Sequence, residues 1–574
     1  MNQAQHQITN PIIPGFYPDP SFCRVGDDFY LANSSFELCP GIPVFHSRDL
    51  AHWEQISNAL TPGNGFHMTA NMGSGGIMAP TIRYYDGTFY IVCANFADRG
   101  NFYVTAQNPA GPWSAPQWIT DIPSIDCSLF FDRDGSSYLV SPGDDPSEDN
   151  GRAFFLTPYD LKENHAAGEG KKIWNSAMRK AWAPEAPHLY HIGDWYYLMI
   201  AEGGTEHFHS VCIARSRTVD GWYEGYPGNP VMTHRNLGWN YPIDNVGHAD
   251  FVDTPAGDWY AVMLGSRIID GQHKNLGRET YLCPVTWERD WPIFSPGSGK
   301  IEFSYPADEK LPWTEYPESK ARIGFDSARL PLDWVFWGTP YQDFWRIENS
   351  RLYLKCLRRP FAQKLTGFQV GVIDERKDNC VSFLAKRQTS ISFEVSLSME
   401  FAAMKNEAAG LVIQQAANHQ YRLEQIQEEG KQILRLVRLT TKQEGLPFLP
   451  GYKAETTEEI QAQVPLSEEG RETLTKAPLP GEGRETPPKQ GRKTEKREPV
   501  VLRLPADRQD FSFFFGSDEE HLQPLYLHAD GALINPEEVG GMIGTMVGMF
   551  ATGNGEESDN EAAFDWFEMK NRKD

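Results

Sequence analysis

The feature that most constrains this chain is an internal repeat. Five segments share one form, in which a short stretch leads through a turn into a strand of aromatic and aliphatic residues. They are DPSFCRVGDDFYLANSS from Asp19, APTIRYYDGTFYIVCAN from Ala79, DCSLFFDRDGSSYLVSP from Asp126, EAPHLYHIGDWYYLMIAE from Glu185 and HADFVDTPAGDWYAVML from His248. Aligned on Tyr30, Tyr90, Tyr138, Tyr197 and Tyr260, they lie 60, 48, 59 and 63 residues apart. Each reads as a β-hairpin, with Gly87, Gly135, Gly193 or Gly257 in the turn of the later four. One such sheet cannot bury both faces alone, so the copies must pack on one another, and radial packing about an axis also protects sheet edges. The expected fold is all-β, a five-bladed β-propeller. The 33 Phe, 23 Tyr, 16 Trp, 50 Gly and 41 Pro suit many short strands and tight turns.

The register of the repeat has chemical consequences. Eleven residues before Tyr30 stands Asp19, and twelve before Tyr138, Tyr197 and Tyr260 stand Asp126, Glu185 and His248. In the second repeat the counterpart is Met78 or Ala79. First strands of blades line a propeller's channel, so these side chains are expected to meet at one channel mouth. A lone Asp in Pro18-Asp19-Pro20 reads equally well as a turn residue. Three acids converging by symmetry do not, because clustered carboxylates repel until one takes up a proton. Such a cluster marks a functional site.

Glycoside hydrolysis needs two carboxyl groups of opposite role, one protonated toward the leaving oxygen and one ionised to activate water or attack carbon. A third acid holds the donor's pKa up. A metal cage is the other use of three acids, but no DxDxDG loop accompanies them. Phe16, Tyr17, Phe36 and Phe66 lie in loops suited to stacking on sugar rings, although most aromatic residues serve only as packing.

Composition narrows the partners. A net charge of −24 excludes the basic footprint that nucleic acid or an anionic membrane requires. No apolar run is long enough to span a bilayer, and MNQAQHQITN carries no secretory signal, so a cytoplasmic protein is expected. The eight scattered cysteines form no CxxC pair or disulfide framework, and Cys127 is expected to be a packed thiol.

Taken together, PGFYPDPS (14–21), SLFFDRDG (128–135), EAPHLYH (185–191), AEGGTEH (201–207), GHADFV (247–252) and GRET (277–280) resemble glycoside hydrolase family 43. The nearest likeness is to its two-domain β-xylosidases and α-L-arabinofuranosidases. The resemblance implies an inverting, exo-acting glycosidase that removes terminal β-D-xylosyl or α-L-arabinofuranosyl units from short oligosaccharides. It implies Asp19 as general base, Glu185 as general acid and Asp126 as the residue that orients the acid and tunes its pKa. It further implies that Arg278 and His248 contact the sugar or complete the channel, and Phe36 is the aromatic residue expected to touch the sugar. No cofactor is required; a structural calcium ion in the channel is compatible with the family. Cys127, Met78, Thr81 and Ala186 depart from the usual Pro, Trp, His and Gly, which leaves the sugar preference open. A non-catalytic carbohydrate-binding propeller is the alternative, and it would be favoured by loss of an acid. A retaining fructosyl hydrolase would need an Asn-Asp-Pro-Asn-like motif, which Tyr17-Pro18-Asp19-Pro20 does not match. Homo-oligomerisation is left open.

The propeller is expected over residues 1–306, a linker over 307–320 and a jelly-roll-like β-sandwich over 321–574. RLYLKCL from Arg351, SISFEVSLSMEF from Ser390, GLVIQQ from Gly410, YRLEQIQ from Tyr421, QILRLVRL from Gln432 and the terminal FDWFEMK alternate as sandwich strands do. In the family a sandwich loop helps close the site, here expected near Phe511 to Phe515. Residues 454–498, with EGRET twice, read as a disordered insertion poor in apolar groups.

Overall fold

The computed structural model describes residues 6–68, 74–96, 99–178, 180–317, 319–362, 380–444, 453–466, 498–539 and 542–572. The five repeats become five antiparallel sheets. Their first strands are Ser21–Val25, Ile77–Tyr85, Ser128–Phe131, Glu185–Ile192 and Ile243–Asp253. All five aligned tyrosines sit on second strands. Four sheets have four strands in simple sequence order; in the third, both His165–Ala166 and Lys171–Trp174 pair with Arg152–Asp160.

Hydrophobic seams join the sheets in cyclic order. Ile42 and Val44 pack with Ile82 and Ile91, Val92 with Leu129 and Leu139, and Phe154 with Leu198 and Ile200. Met199 and Ile213 pack with Phe251 and Met263, and Val262 and Leu282 return to Phe22 and Leu31. The last seam joins the fifth sheet to the first, so no sheet face is left at an end of the array. Gln7–Thr9 pairs with Ser304–Pro306, bringing the two ends of this unit together.

The repeat also recurs in the backbone. Asp19, Ala79, Asp126, Ala186 and His248 all have left-handed φ, at 52°, 50°, 52°, 51° and 50°. For non-glycine residues that conformation costs about 1 kcal/mol or more each. It explains why a Gly is readily accommodated at position 186. This backbone match corrects the register expected from counting: the fourth counterpart of Asp19 is Ala186, and Glu185 stands one residue ahead of it. The fourth repeat has eleven residues, not twelve, between this address and its tyrosine.

Two large sheets form the C-terminal sandwich. One runs Trp345–Glu348, Arg351–Lys355, Glu561–Asn571, Phe393–Glu400, Val500–Asp507, Asp510–Gly516, Leu522–Asp530, with Arg322–Ile323 added on Glu561–Asn571. The other runs Ser382–Arg387, Met546–Thr552, Ala408–Ala416, His419–Glu428, Lys431–Glu444, Lys453–Pro465. Period-2 apolar residues such as Val395, Leu397, Leu411 and Ile413 fill the space between them.

Two expectations are corrected here. Residues 453–465 of the supposed insertion form an edge strand, because their alternating Thr, Ile and Val residues extend a hairpin and Glu458 and Glu459 pair with Arg422 and Arg438. Charged side chains are a normal feature of such an edge; residues 467–497 lie outside the described residues. The 307–320 segment is held against the ring: Trp313 stacks on His6 at 4.1 Å, and the Thr314 N–H donates to Asp49 at 2.8 Å. Phe511 to Phe515 belong to a core strand, with Phe511 and Phe513 buried, as their alternation requires. The sandwich reaches the ring instead through residues 531–539 and 542–545. Asn275 donates to the carbonyls of Gly531 and Ile534 and accepts from the Thr545 N–H, while Glu537 faces Lys274 at 3.4 Å. Leu38–Cys39 also pairs with Phe336–Trp337, stitching the two units together.

Candidate active site

The segment leading to Asp19 is clamped by the GRET motif. Arg278 donates to Asp19 Oδ1 at 3.0 Å, Glu279 accepts from the Gly15 N–H at 2.8 Å, and Thr280 donates to the Tyr17 carbonyl at 2.7 Å. Gly277 has φ 72°, and a Cβ there would come within 2.8 Å of Gly544 in the sandwich. Each position of the motif therefore has a structural task.

Asp19 is buried and well paired. Ser34 donates to its Oδ2 at 2.6 Å, and His248 Nδ1 lies 3.7 Å from Oδ1. Burial alone would raise its pKa, but Arg278, His248 and the Ser34 hydrogen bond together hold it below the usual carboxylate value. His248 itself is pushed down by burial, opposed by Asp19.

The other two acids are poised oppositely. Asp126 is pushed up to about 7 by burial and then by the charge of Asp19, with the facing Ala186 N–H and Arg278 opposing. Glu185, half-buried, is raised well above the ordinary value by burial, then by Asp126 and Asp19. Asp126 and Glu185 therefore titrate as a pair. Although Glu185 sits one residue off the address shared by Asp19 and Asp126, the three acids feel one another. One mouth thus holds an ionised carboxylate beside a pair that retains protons.

The remaining expected residues divide. Arg278 joins Asp19 to Thr205, donating to Thr205 Oγ1 at 2.8 Å, and its Nη2 has no hydrogen-bond partner. Phe36 is only 1% exposed and lies under Arg278, 5.2 Å from guanidinium carbon to ring centre. It supports the guanidinium and offers no face to a sugar, which corrects the expected contact. Phe16, Tyr17 and Phe66 are likewise buried, and Cys127 is a packed thiol raised by burial.

Sequence reasoning missed the plug beneath the acids. Asp250 accepts from Ser21 Oγ at 2.6 Å, from Arg83 at 2.8 Å and from the Tyr190 hydroxyl, while Arg83 Nη2 lies 3.1 Å from His188 Nδ1. These residues tie four of the five first strands together. Asp250 lies two residues beyond His248 in GHADFV, so the period-2 alternation that sends His248 to the channel sends Asp250 there also. His209 was missed as well: its Nδ1 lies 3.0 Å from the Asn245 carbonyl oxygen, and its ring occupies the space that a Cβ at Gly247 would need. Burial pushes His188 and His209 down to about 3.

These residues do not suit calcium, which takes oxygen ligands. The channel offers the unpartnered Nε2 atoms of His188 and His209 beside two guanidiniums. Among the described residues, no three His, Cys, Asp or Glu side chains converge as a metal cluster.

Residues 8–292 match the model of glycosyl hydrolases family 43, and 322–462 with 452–570 match the beta xylosidase C-terminal concanavalin A-like domain. A xylosidase/arabinosidase of Butyrivibrio fibrisolvens is 36% identical over 98% of this chain and 99% of its own length. The chain belongs to glycoside hydrolase family 43. Also similar is a non-reducing end alpha-L-arabinofuranosidase of Bacteroides ovatus, 36% identical over 99% of this chain and 95% of its own. Among solved structures, a xylan beta-1,4-xylosidase of Bacillus halodurans aligns with TM-score 0.82 and 30% identity, covering 98% of this chain and all of that one. As a family 43 member the protein is a glycosidase with a propeller and a sandwich domain.

Proposed function

We propose that this glycosidase removes terminal β-D-xylosyl or α-L-arabinofuranosyl units from short oligosaccharides, with inversion at the anomeric carbon. The observation that carries the reading is the opposite poise of Asp19 and Glu185 within one mouth. In this reading Asp19, kept ionised by Arg278, takes a proton from water as the water attacks the anomeric carbon. Glu185, kept protonated by burial and by its acidic neighbours, gives its proton to the leaving oxygen. Asp126 sustains the proton on Glu185, and Arg278 with His248 positions Asp19. Family membership and the printed names of the full-length relatives support both the inverting course and the sugar class.

The cyclic packing of five sheets supports a five-bladed propeller over residues 1–306, joined by 307–320 to a sandwich over 321–574. Among the described residues no helix is long and apolar enough to cross a membrane. Cys23, Cys39, Cys93, Cys127, Cys212, Cys283 and Cys380 are buried thiols outside any disulfide, which suits a reducing compartment and so supports a cytoplasmic location.

The test compares nitrophenyl β-D-xyloside with nitrophenyl α-L-arabinofuranoside, using wild type and Glu185→Gln. Loss of general acid catalysis should lower kcat by about 10²–10⁴-fold on the preferred substrate. Equal activity of the two proteins would end the assignment. Proton NMR of xylobiose hydrolysis should show α-xylose first; β-xylose would contradict inversion.

A further inference from the structure

The aromatic rings expected to contact sugar are buried, yet three large rings stand exposed on the side of the mouth that carries Glu185. Trp182 is 72% exposed, Phe208 58% and Trp239 50%. The 203–208 loop ties them to the acids. Its Thr205 accepts from Arg278, and the charge of Glu206 raises Glu185. The Gly203 N–H donates to the Trp182 carbonyl at 2.7 Å, while Phe208 abuts Gly203 from the other side. A Cβ at Gly204 would come within 2.8 Å of the Trp182 indole and 3.0 Å of Glu206 Oε2. Glycine is therefore what lets the indole lie against the loop. Trp239 stacks on His207 at 3.6 Å and 16°, and His207 Nδ1 lies 2.9 Å from Asp244 Oδ1, so this ring is fixed before any ligand arrives. Phe208 meets Trp239 edge-on at 6.1 Å.

Exposed aromatic surface gathered around one loop beside a catalytic mouth marks a binding face. In the reading above, Glu185 protonates the leaving oxygen, so what lies beyond it holds the leaving group. We propose that Trp182, Phe208 and Trp239 form a stacking platform for the pyranose units of the leaving-group chain, with Glu206 accepting from their hydroxyls. The C–H faces of pyranoses match the indole and phenyl faces, and the fixed position of Trp239 reduces the ordering cost of binding. The inference rests on the glycosidase reading for its orientation. It assigns the enzyme a preference for leaving groups of two or more sugar units.

The test uses leaving groups of graded length on the preferred glycon: a glycosyl fluoride, the disaccharide and the trisaccharide. Trp182→Ala and Trp239→Ala should each lower kcat/KM for the trisaccharide by roughly 5–10-fold, Phe208→Ala less, with the fluoride unchanged. Equal loss on fluoride and trisaccharide, or no loss on either, would overturn the platform. A second readout is independent of turnover. Xylotriose should quench the tryptophan fluorescence of Glu185→Gln, and Trp182→Ala with Trp239→Ala in that background should abolish the quench. If wild type hydrolyses none of these substrates, the glycosidase reading fails while the quench still decides the platform; an unchanged quench in the triple variant refutes it.

Discussion

Two glutamates, one in each half of the molecule, show opposite treatment of the same side chain. Glu424 in the sandwich accepts from Arg422 at 2.9 Å and from Arg435 at 2.8 Å. Burial would raise its pKa, but the two guanidiniums hold it below the ordinary value. Glu185 in the ring has no such pair of cations facing it and is pushed far up by burial and by Asp126. The sandwich resolves its buried charge within the fold. The ring leaves its acid unresolved, and adds a left-handed backbone residue beside it at Ala186. At the mouth a left-handed residue and an acid without a facing pair of cations coincide, where a substrate completes the site.

Exchanging each carboxyl for an amide gives the largest expected contrast. Glu185→Gln should cost orders of magnitude in kcat, as above, while its unfolding midpoint in urea stays level or rises, because a destabilised acid has been removed. Glu424→Gln takes the shared anion from buried Arg422 and half-buried Arg435, leaving Arg422 only the exposed Glu458, and should cost about 3–5 kcal/mol in the same unfolding measurement. Folded Glu424→Gln protein should keep its kcat. Equal stability of the two variants would dissolve the contrast between the halves.

Much of this contrast was legible in the sequence. The repeat is visible because each blade needs its own Gly turn and Tyr-rich second strand, and the acids are visible because repetition puts them at strand starts. The one-residue displacement of Glu185 was not, since a left-handed residue and a bulge change the count without changing residue types. Phe36 was misread because a buried platform under Arg278 and an exposed platform under a sugar have the same composition. Arg83 and Asp250 lie 167 residues apart, and only closure of the ring reveals them as partners. The strand over 453–465 was hidden because an exposed edge strand is as rich in Glu and Thr as a loop.

A smaller effect sharpens the comparison within the ring. Asp126 adds negative charge beside Glu185, second only to burial in raising it. Asp126→Asn removes that charge, so Glu185 loses its proton at lower pH and the alkaline limb of kcat/KM moves down. The acid limb, set by Asp19, stays in place, because Asp126 still carries its proton over the range in which Asp19 titrates. At a pH just above the wild-type alkaline limb the variant should be about tenfold less active relative to its own optimum, the effect of one pH unit. An unmoved alkaline limb would mean that Asp126 orients Glu185 without tuning it.

The smallest effect concerns Glu37, where ring and sandwich meet. It is buried, accepts from the Ser74 N–H at 3.2 Å, and leaves Oε2 without a hydrogen bond; its backbone carbonyl accepts from Gly338. Burial pushes it up to about 8 against an ordinary 4.5. Between those values the folded chain binds a proton that the unfolded chain has released. Stability contributed by this group therefore falls as pH rises from 4.5 to 8 and is flat above. Glu37→Gln lacks this titration. Its melting temperature should gain on wild type steadily from pH 5 to pH 8 and then run parallel, whereas a constant offset across that range would show that Glu37 is ionised in the native protein. Unlike Glu185 it lies at a seam and not at the mouth, so kcat at the optimum should not change. Glu37 thus separates the two causes that coincide at Glu185, since it has the burial without the neighbouring acids.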